Sequence, residues 1–257
     1  MRRLLVLLLI VAPALLHGQT PTREQKPVAF EVATIKRNIS GEGGSIGIEP
    51  GGRFRAINAD VRFLIATMYR PAGGPRLFPS QIIGLPDWAS TEKYDMIGKV
   101  ADEFAGLSAA EQFRRMPPMV QALLEDRFKL RLHRETRQMP IYALVVARTN
   151  VIRPSTVDCR KEPDKCNIQS AGGHYSAVGL TMNNFMIFLS NTVERVVIDR
   201  TRLQGAYDVE FDWSSEPGSD KPSIFTAVQE QLGLKLEPTT GAVDVLVIDR
   251  IERPTPD

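Results

Sequence analysis

Three carboxylates stand at alternating positions in the stretch GAYDVEFDW, residues 205–213. They are Asp208, Glu210 and Asp212, and apolar residues occupy the positions between and beside them. Because successive side chains of a β-strand point to opposite faces, a strand here would place the three carboxylates on one face. Such a face could bind a cation or carry acid–base chemistry. It is also the pattern of an ordinary strand with one buried and one wet face.

Three other residues have types that could do chemistry or bind a ligand. His133 and Glu135 in KLRLHRE fall on the outward side of a predicted strand, so we favour a solvated surface over an acid–base pair. Trp88 in GLPDWAS follows a turn, and we expect it to close the edge of a core, with ligand or partner contact as the alternative.

Ser45 lies in GGSIG, which has the spacing of a nucleophile motif. That motif needs a helix directly after it, and the residues that follow, IEPGG, cannot begin a helix at once. We therefore expect a glycine-rich hairpin and assign no catalytic residue.

Two cysteines, Cys159 and Cys166, enclose a polar loop in CRKEPDKC. In an oxidising compartment this spacing predicts a local disulfide, with two free thiols as the alternative. Zinc would need two further ligands, and beyond the N-terminal segment the histidines, His133 and His174, are far apart in sequence. Metal binding is therefore the less favoured interpretation, and we predict no cofactor.

The N-terminal segment has the layout of a secretory signal. Arg2 and Arg3 precede an apolar stretch from Leu4 to Leu16, too short to span a bilayer comfortably. We predict a signal peptide over residues 1–20 and an exported, periplasmic or extracellular protein, with an uncleaved anchor as the alternative. Removing two arginines from the 32 basic residues leaves 30, equal to the 30 acidic residues. This balance gives no electrostatic case for nucleic acid, and we expect no transmembrane segment after signal removal.

The chain contains an internal repeat. GGRFRAINADVRFLIATMY (51–69) aligns with GGHYSAVGLTMNNFMIFLS (172–190), and further matching segments follow in the same order. Apolar residues recur at helical spacing in both stretches: Val61, Leu64, Ile65 and Met68, then Met182, Phe185, Met186 and Leu189. Five matches in order predict a duplication. The units are residues 27–150 and 172–257, joined by a linker, residues 151–171, that carries both cysteines.

Each unit is predicted to run strand, helix, strand, strand, helix, strand, strand, which gives an α+β protein with a mixed sheet and helices on one face. Pro117-Pro118 predicts a break between two helices. The segments ETRQMP (135–140) and EPTTGA (237–242) predict turns between the last two strands of each unit. Polar residues at the helix starts predict caps: Asn58 or Asp60, Ser108, Thr181 and Ser223.

The repeat also supplies a counterpart for the acidic stretch. The matching segment EKYDMIGKV keeps the Tyr-Asp pair but has Ile97 and Lys99 where Glu210 and Asp212 stand. We therefore interpret Tyr-Asp as a fold element whose ring packs and whose carboxylate caps a nearby turn. The extra acids belong to one unit only, and a half-buried strand explains them better than a cation site does.

Motifs spread over nearly the whole chain carry a family resemblance: FEVATIK, IIGLPDW with YDM, LLEDRFKLRLHRETRQMPIYALVV, VIDRTRLQGAYD, and QEQLGLKLE with VDVLVID. They resemble the TIGR03435 family (DUF3738), soil-associated exported proteins of Acidobacteria. The resemblance implies no reaction and no catalytic residue. The order of elements, with LGLKLE (232–237), is also similar to the short N-terminal domain of secretins and TonB-dependent receptors, which binds protein partners or relays signals. Likeness of fold alone does not transmit function.

We expect a non-enzymatic exported module for binding or sensing, whose partner is an envelope protein or peptide held at an exposed strand edge. A secreted hydrolase of unknown substrate and a structural envelope component are the alternatives. A hydrolase would need a concave pocket in which polar side chains of both units converge.

Overall fold

The computed structural model describes residues 29–41, 43–49, 52–101, 104, 106–149, 151–214, 216 and 218–255. The predicted signal peptide, residues 1–20, lies outside these. Strands in three four-stranded sheets combine with helices, and the predicted α+β class is confirmed. Below, the N-terminal half is residues 29–149 and the C-terminal half is residues 151–255.

The N-terminal half forms an antiparallel sheet with helices packed against it. In spatial order its strands are β1 (Val32–Asn38), β5 (Lys93–Lys99), β3 (Arg53–Asp60) and β2 (Ser45–Glu49). Its helices are α1 (Val61–Met68), α2 (Trp88–Thr91) and α3 (Ala109–Arg127). The apolar stripe predicted for α1 is buried, which holds this helix against the sheet.

The C-terminal half forms a second antiparallel sheet. In spatial order its strands are β7 (Arg153–Pro154), β11 (Ala206–Asp212), β9 (His174–Thr181) and β8 (Ile168–Ala171). Its helices are α4 (Met182–Val193) and α5 (Ile224–Leu232). The segment predicted as a linker contributes β7 and β8, so it is part of the folded body.

A third sheet joins the two halves. In spatial order its strands are β10 (Val197–Asp199), β6 (Arg131–Val146), β12 (Leu234–Arg250) and β4 (Ile82–Ile83). The long strands β6 and β12 pair antiparallel, whereas β10 and β4 run parallel to their neighbours. The turns predicted at residues 135–140 and 237–242 are wrong, because both segments continue as paired strand.

Two prolines lie inside the long strands without ending them. Pro140 is opposite Thr240, and Pro238 is opposite Tyr142. The N–H of Tyr142 donates to the carbonyl of Val196 at 3.0 Å. The backbone N–H and carbonyl groups of the even-numbered residues near it in β6 therefore point away from β12. Because β10 begins its pairing at Tyr142, the nitrogen of Pro140 faces a side on which no strand of the described ranges lies. Such edge positions tolerate a residue that cannot donate a hydrogen bond.

Helix α3 continues through Pro117 and Pro118, so the predicted break is wrong. These prolines lack the N–H groups that would bind the carbonyls of Phe113 and Arg114, four residues earlier. Phe113 is 55% exposed and the Arg114 side chain is 75% exposed. The freed carbonyls therefore lie on the solvent side, where water can donate to them.

Each half completes its core with a strand end from the other half. Leu246 and Ile248 of β12 belong to the buried cluster of the N-terminal half. Leu144 of β6 belongs to the buried cluster of the C-terminal half. Since β6 and β12 each run from one core to the other, the halves are interlocked by the central sheet.

The predicted helix caps are confirmed. The side-chain oxygens of Asp60, Ser108, Thr181 and Ser223 each accept the N–H of the residue three positions later, at 2.7 to 3.3 Å. At α1 the cap is Asp60, because Asn58 adopts a left-handed conformation, with φ +50°, within β3.

Candidate functional site

The carboxylates of β11 follow the predicted alternation. Asp208 and Glu210 are exposed, whereas Tyr207, Val209 and Phe211 are 6%, 2% and 1% exposed. The apolar side packs into the core of the C-terminal half. The stretch is therefore a half-buried strand, and its acidic side faces solvent.

Asp208 closes a β-bulge in the neighbouring strand. Its Oδ1 accepts the N–H of Gly179 at 3.0 Å, where β9 has an irregular register against β11. Gly179 has φ +72°, and a Cβ there would lie 2.3 Å from Sγ of Cys159. Cys159 and Cys166 form the predicted disulfide, which packs directly on this bulge. Glycine is thus required here both by conformation and by space.

Asp95 makes the corresponding contact in the N-terminal half. Its Oδ1 accepts the N–H of Asn58 at 2.9 Å and a hydrogen bond from Nδ2 of Asn38 at 2.7 Å. Asn58 lies in the left-handed region, as Gly179 does. The tyrosines that precede the two aspartates are both buried. These contacts support the interpretation of each Tyr-Asp pair as a fold element.

Glu210 and Asp212 face a lysine and a histidine. Nζ of Lys221 lies 3.0 Å from Oδ1 of Asp212, and Nδ1 of His174 lies 3.4 Å from the same oxygen. Nε2 of His174 lies 3.8 Å from Oε1 of Glu210. The hydrogen bond from Lys221 holds the pKa of Asp212 below its usual value. Within the described ranges, no three His, Cys, Asp or Glu side chains are grouped so that they could hold a metal ion.

His133 lies between two carboxylates on the exposed side of the central sheet. Its Nδ1 is 2.9 Å from Oδ1 of Asp249, and its Nε2 is 3.0 Å from Oε1 of Glu135. Hydrogen bonding to Asp249, and then to Glu135, raises the pKa of His133. Since each ring nitrogen faces a carboxylate, neither is directed at a substrate position, and the geometry fits a solvated ion-pair network.

Trp88 packs at the edge of the N-terminal core, as expected. Its ring stacks on Phe128 with the centroids 6.5 Å apart, and the guanidinium of Arg253 lies 5.1 Å from its centroid. Arg253 also donates to Glu92 from Nε at 3.0 Å and from Nη2 at 2.9 Å, which lowers the pKa of Glu92. Trp88 is therefore engaged by the core and by the C-terminal segment.

Ser45 begins β2, which forms a hairpin with β3 and pairs opposite Ile57. The expected hairpin is confirmed, and β3 rather than a helix follows it along the chain. The strand-to-helix turn that a nucleophile motif needs is not formed at Ser45.

The two outer sheets differ at one edge. β1 pairs with β5 along the whole of Val32–Asn38, whereas β7 pairs with β11 only at Tyr207 and Asp208. Beyond Asp208, a groove of about 560 Å³ follows Val209–Asp212 and extends over the face of the sheet to Ser176–Val178 of β9. Its other border is formed by Val151–Arg153 and the end of α5. The edge that is filled in one half is thus open in the other.

Gln231 of α5 substitutes for a strand at the far end of this groove. Its Oε1 accepts the N–H of Asp212 at 3.1 Å, and its Nε2 donates to the carbonyl of Asp212 at 2.8 Å. In the N-terminal half, the matching carbonyl of Lys99 accepts the main-chain N–H of Glu31 at 2.9 Å. Because alternate residues direct their backbone groups to the same edge, the N–H and carbonyl of Glu210 also face the groove.

A smaller cavity, of about 170 Å³, lies where the halves meet. It is lined by α1, by the loop before β4, and by Glu194 after α4. Its polar lining residues are Asp60, Arg62, Arg76 and Glu194. Polar side chains from both halves therefore converge on a concave site. The described lining residues include no hydroxyl, thiol or imidazole group that would serve a hydrolase as nucleophile.

Sequence reasoning misses Gln231, Arg62 and Arg76. Polar residues on exposed positions of helices and loops are common, and no local pattern separates these three from the others. The sequence does contain an indication of the open edge. RPST (153–156) is shorter than VATIKRN (32–38) and lacks its alternation of polar and apolar residues. Its meaning depends on knowing that the two segments occupy matching places in their sheets.

The fold and these sites define an α+β protein in which a shared central sheet joins two sheets with unequal edges. The family model described as "Protein of unknown function (DUF3738)" matches residues 63–251, which is more than half of the chain. The chain belongs to this family. No curated protein and no solved structure matches it. None of the helices in the described ranges has the length and apolar character needed to cross a membrane.

Proposed function

We propose that this protein is an exported, non-enzymatic module that binds an extended segment of an envelope protein along the open edge of β11. The observation that carries the proposal is the unequal pairing of the two outer sheets. β1 covers the whole edge of β5, whereas β7 covers two residues of β11 and leaves a groove beside the rest. An added strand gains main-chain hydrogen bonds from such an edge and specificity from alternate side chains.

The charge of the edge indicates what kind of segment it binds. Side chains of paired residues share a face, so residues opposite Asp208, Glu210 and Asp212 would meet carboxylates. In the N-terminal half Lys36 of β1 is opposite Asp95, and in the C-terminal half Arg153 is opposite Asp208. A segment that alternates basic and apolar residues therefore complements the groove.

The chain itself supplies a probe, because β1 fills the corresponding place in the other half. The probe is a labelled peptide with the sequence of residues 31–39, EVATIKRNI, carrying Val32→Lys and Thr34→Lys, because the register of β1 on β5 places these two positions opposite the counterparts of Asp212 and Glu210. It is titrated with the full chain and followed by fluorescence anisotropy. We expect Glu210→Pro to weaken binding by about tenfold or more, because it removes the N–H that faces the groove. Glu210→Gln keeps that N–H and should weaken binding less.

Ser170→Pro is the matched control. Ser170 lies on β8, the opposite edge strand of the same sheet. The N–H of Val178 donates to Asn167, so alternation directs the N–H of Ser170 away from β9. This variant should bind the peptide as the wild-type protein does. Equal binding by Glu210→Pro, or no binding of the peptide by the wild type, would contradict the β11 edge as the site.

Finer assignments belong to the same proposal. Export rests on the signal-like residues 1–20, and the tandem units, residues 27–150 and 172–257, rest on the repeat. The corresponding sheet orders, β1-β5-β3-β2 and β7-β11-β9-β8, support the tandem units. Membership of the TIGR03435 group of soil Acidobacteria, and the likeness to secretin and TonB-receptor domains, rest on motifs alone. The hydrolase and the structural component stay predictions. The smaller cavity meets one requirement of a hydrolase, the convergence of polar side chains from both halves, but its described lining offers no hydroxyl, thiol or imidazole nucleophile.

A further inference from the structure

The cavity between the halves contains two arginines that the protein does not neutralise. Arg62 lies on α1 and Arg76 on the loop before β4, and both line the cavity. In the part of the chain that the structure describes, neither guanidinium makes a hydrogen bond or an ion pair, and Nε of Arg62 is buried without a partner. Buried donors in folded proteins are nearly always bonded, so Arg62 is a guanidinium whose hydrogen-bonding capacity the described residues leave unused.

The two acidic residues of the cavity do not supply an acceptor for Arg62. The carboxylate of Asp60 is used by the N–H of Phe63, at 2.7 Å, and by Nζ of Lys93, also at 2.7 Å. Among the residues that the structure describes, the carboxylate of Glu194 forms no ion pair with either arginine. Asp60 is thus already paired with Lys93, and Glu194 is the one other carboxylate in the described lining of the cavity, beside the two arginines. Guanidinium groups bind carboxylates through paired hydrogen bonds.

The remaining wall of the cavity is apolar. Leu77, Phe78 and Ile82 are 5%, 2% and 8% exposed, and Phe63 and Ala66 complete this side. The volume, about 170 Å³, is close to that of an engineered apolar cavity of about 150 Å³ that binds benzene. Size and lining together select a ligand with a ring-sized apolar body and one anionic group.

We propose that this cavity binds a small monocarboxylate, with the carboxylate on Arg62 and the apolar body against Leu77 and Ile82. The site is distinct from the open edge of β11, and neither proposal depends on the other. Because the cavity is lined by residues of both halves, a bound ligand would also stabilise the packing of the halves against each other.

Benzoate is the probe, titrated into the full chain by isothermal titration calorimetry and by thermal unfolding. We expect binding with a Kd in the millimolar range or below and a rise in Tm that grows with concentration. Arg62→Met, which keeps the length of the side chain and removes its donors, should weaken binding by about tenfold or more. Benzamide has the same shape without the charge and should not raise Tm.

Arg114→Met is the matched control, since Arg114 is an exposed arginine on α3 that pairs with Glu111 outside the cavity. It should bind benzoate as the wild type does. If Arg62→Met does not fold, Arg76→Gln on the exposed loop replaces it, with a weaker but measurable loss expected. The proposal is overturned if the wild type does not bind benzoate at about 10 mM. Equal affinity of the folded cavity variant, or equal binding of benzamide, would also overturn it.

Discussion

The N-terminal and C-terminal halves keep one contact in common and differ at one edge. In both halves the aspartate of a Tyr-Asp pair accepts the N–H of a left-handed residue, Asn58 in one and Gly179 in the other. The halves differ two positions after the aspartate, with Ile97 in one half and Glu210 in the other. The aspartate contact is therefore what the bulge requires, whereas the additional carboxylates occur in the C-terminal half only.

The two outer sheets also differ in how far the edge next to the Tyr-Asp strand is covered. The first sheet is closed by a strand of its own chain, whereas the same place in the other sheet holds a two-residue strand, a groove and the side-chain amide of Gln231. Exposed backbone at a sheet edge is a hazard that proteins usually cover. Here the uncovered stretch is short and flanked by carboxylates, which suits selective rather than indiscriminate pairing.

The largest expected effect comes from separating the halves. Residues 27–150 alone lack Leu246 and Ile248, and residues 151–257 alone lack Leu144. Each buried side chain contributes about 1.5–3 kcal/mol, against a typical total stability of about 5–15 kcal/mol, and each fragment also loses its partner in the central sheet. We expect neither fragment to fold, as judged by near-UV circular dichroism and amide dispersion in NMR spectra.

The control for this prediction is an equimolar mixture of the two fragments, which should regain structure because β6 and β12 can pair again. A cooperative unfolding transition in either fragment alone would show that the halves are independent domains.

Next in size are truncations of the two exchanged leucines. Leu144 and Leu246 are both fully buried, and each lies in the core of the other half. Leu144→Ala and Leu246→Ala should each lower the free energy of unfolding by about 2–5 kcal/mol. In urea unfolding we expect one transition for each variant, at a lower midpoint. Two separated transitions in either variant would contradict interlocked cores.

A smaller effect is expected at the β-bulge that each half contains, in β9 at Gly179 and in β3 between Ala56 and Ala59. Asp95 accepts two hydrogen bonds and Asp208 accepts one. Removing an acceptor leaves its donor unpaired, so we expect a loss of about 2 kcal/mol for Asp95→Ala and about 1 kcal/mol for Asp208→Ala. Urea unfolding of both variants measures the difference. If Asp208→Ala is the more damaging, the two bulges are not equivalent.

The smallest effect concerns the pH dependence of the exposed network at His133. Asp249 and Glu135 raise its pKa in the folded state. A raised pKa adds stability that is complete below the unfolded value, about 6.5, and is lost as pH rises through the folded value. Between about pH 5 and 9 the wild type should therefore lose more thermal stability than His133→Gln, with a difference that develops above about pH 6.5. Parallel curves for the two proteins would show that the network contributes nothing.

Local features of the fold were predictable from local sequence. The cap at Asp60, the buried stripe of α1 and the alternation along β11 each depend on residues within one or two turns of the chain. The disulfide between Cys159 and Cys166 was predictable for the same reason, since the two cysteines enclose one short loop. In each case the interacting residues lie close together in the sequence, so a short segment contains the physical cause of the feature.

Long-range features were not predictable in this way. Pro238 and Gly241 predict a turn locally, but pairing of β12 with β6 keeps both in an extended strand. The cavity at Arg62 and the amide contact of Gln231 depend on elements that approach only after folding. The spacing of residues along the chain does not predict which strands become neighbours in a sheet.

The pairing of β6 with β12 also affects when the chain can complete its folding during synthesis. Residues 131–146 are synthesised well before residues 234–250, yet the two segments pair along almost their full length. Contacts so distant along the chain form slowly, because a long loop must close before they give any stabilisation. The N-terminal core cannot be complete before Leu246 and Ile248 have been synthesised. The order of synthesis thus constrains the folding pathway, because β6 is made well before the strand with which it pairs.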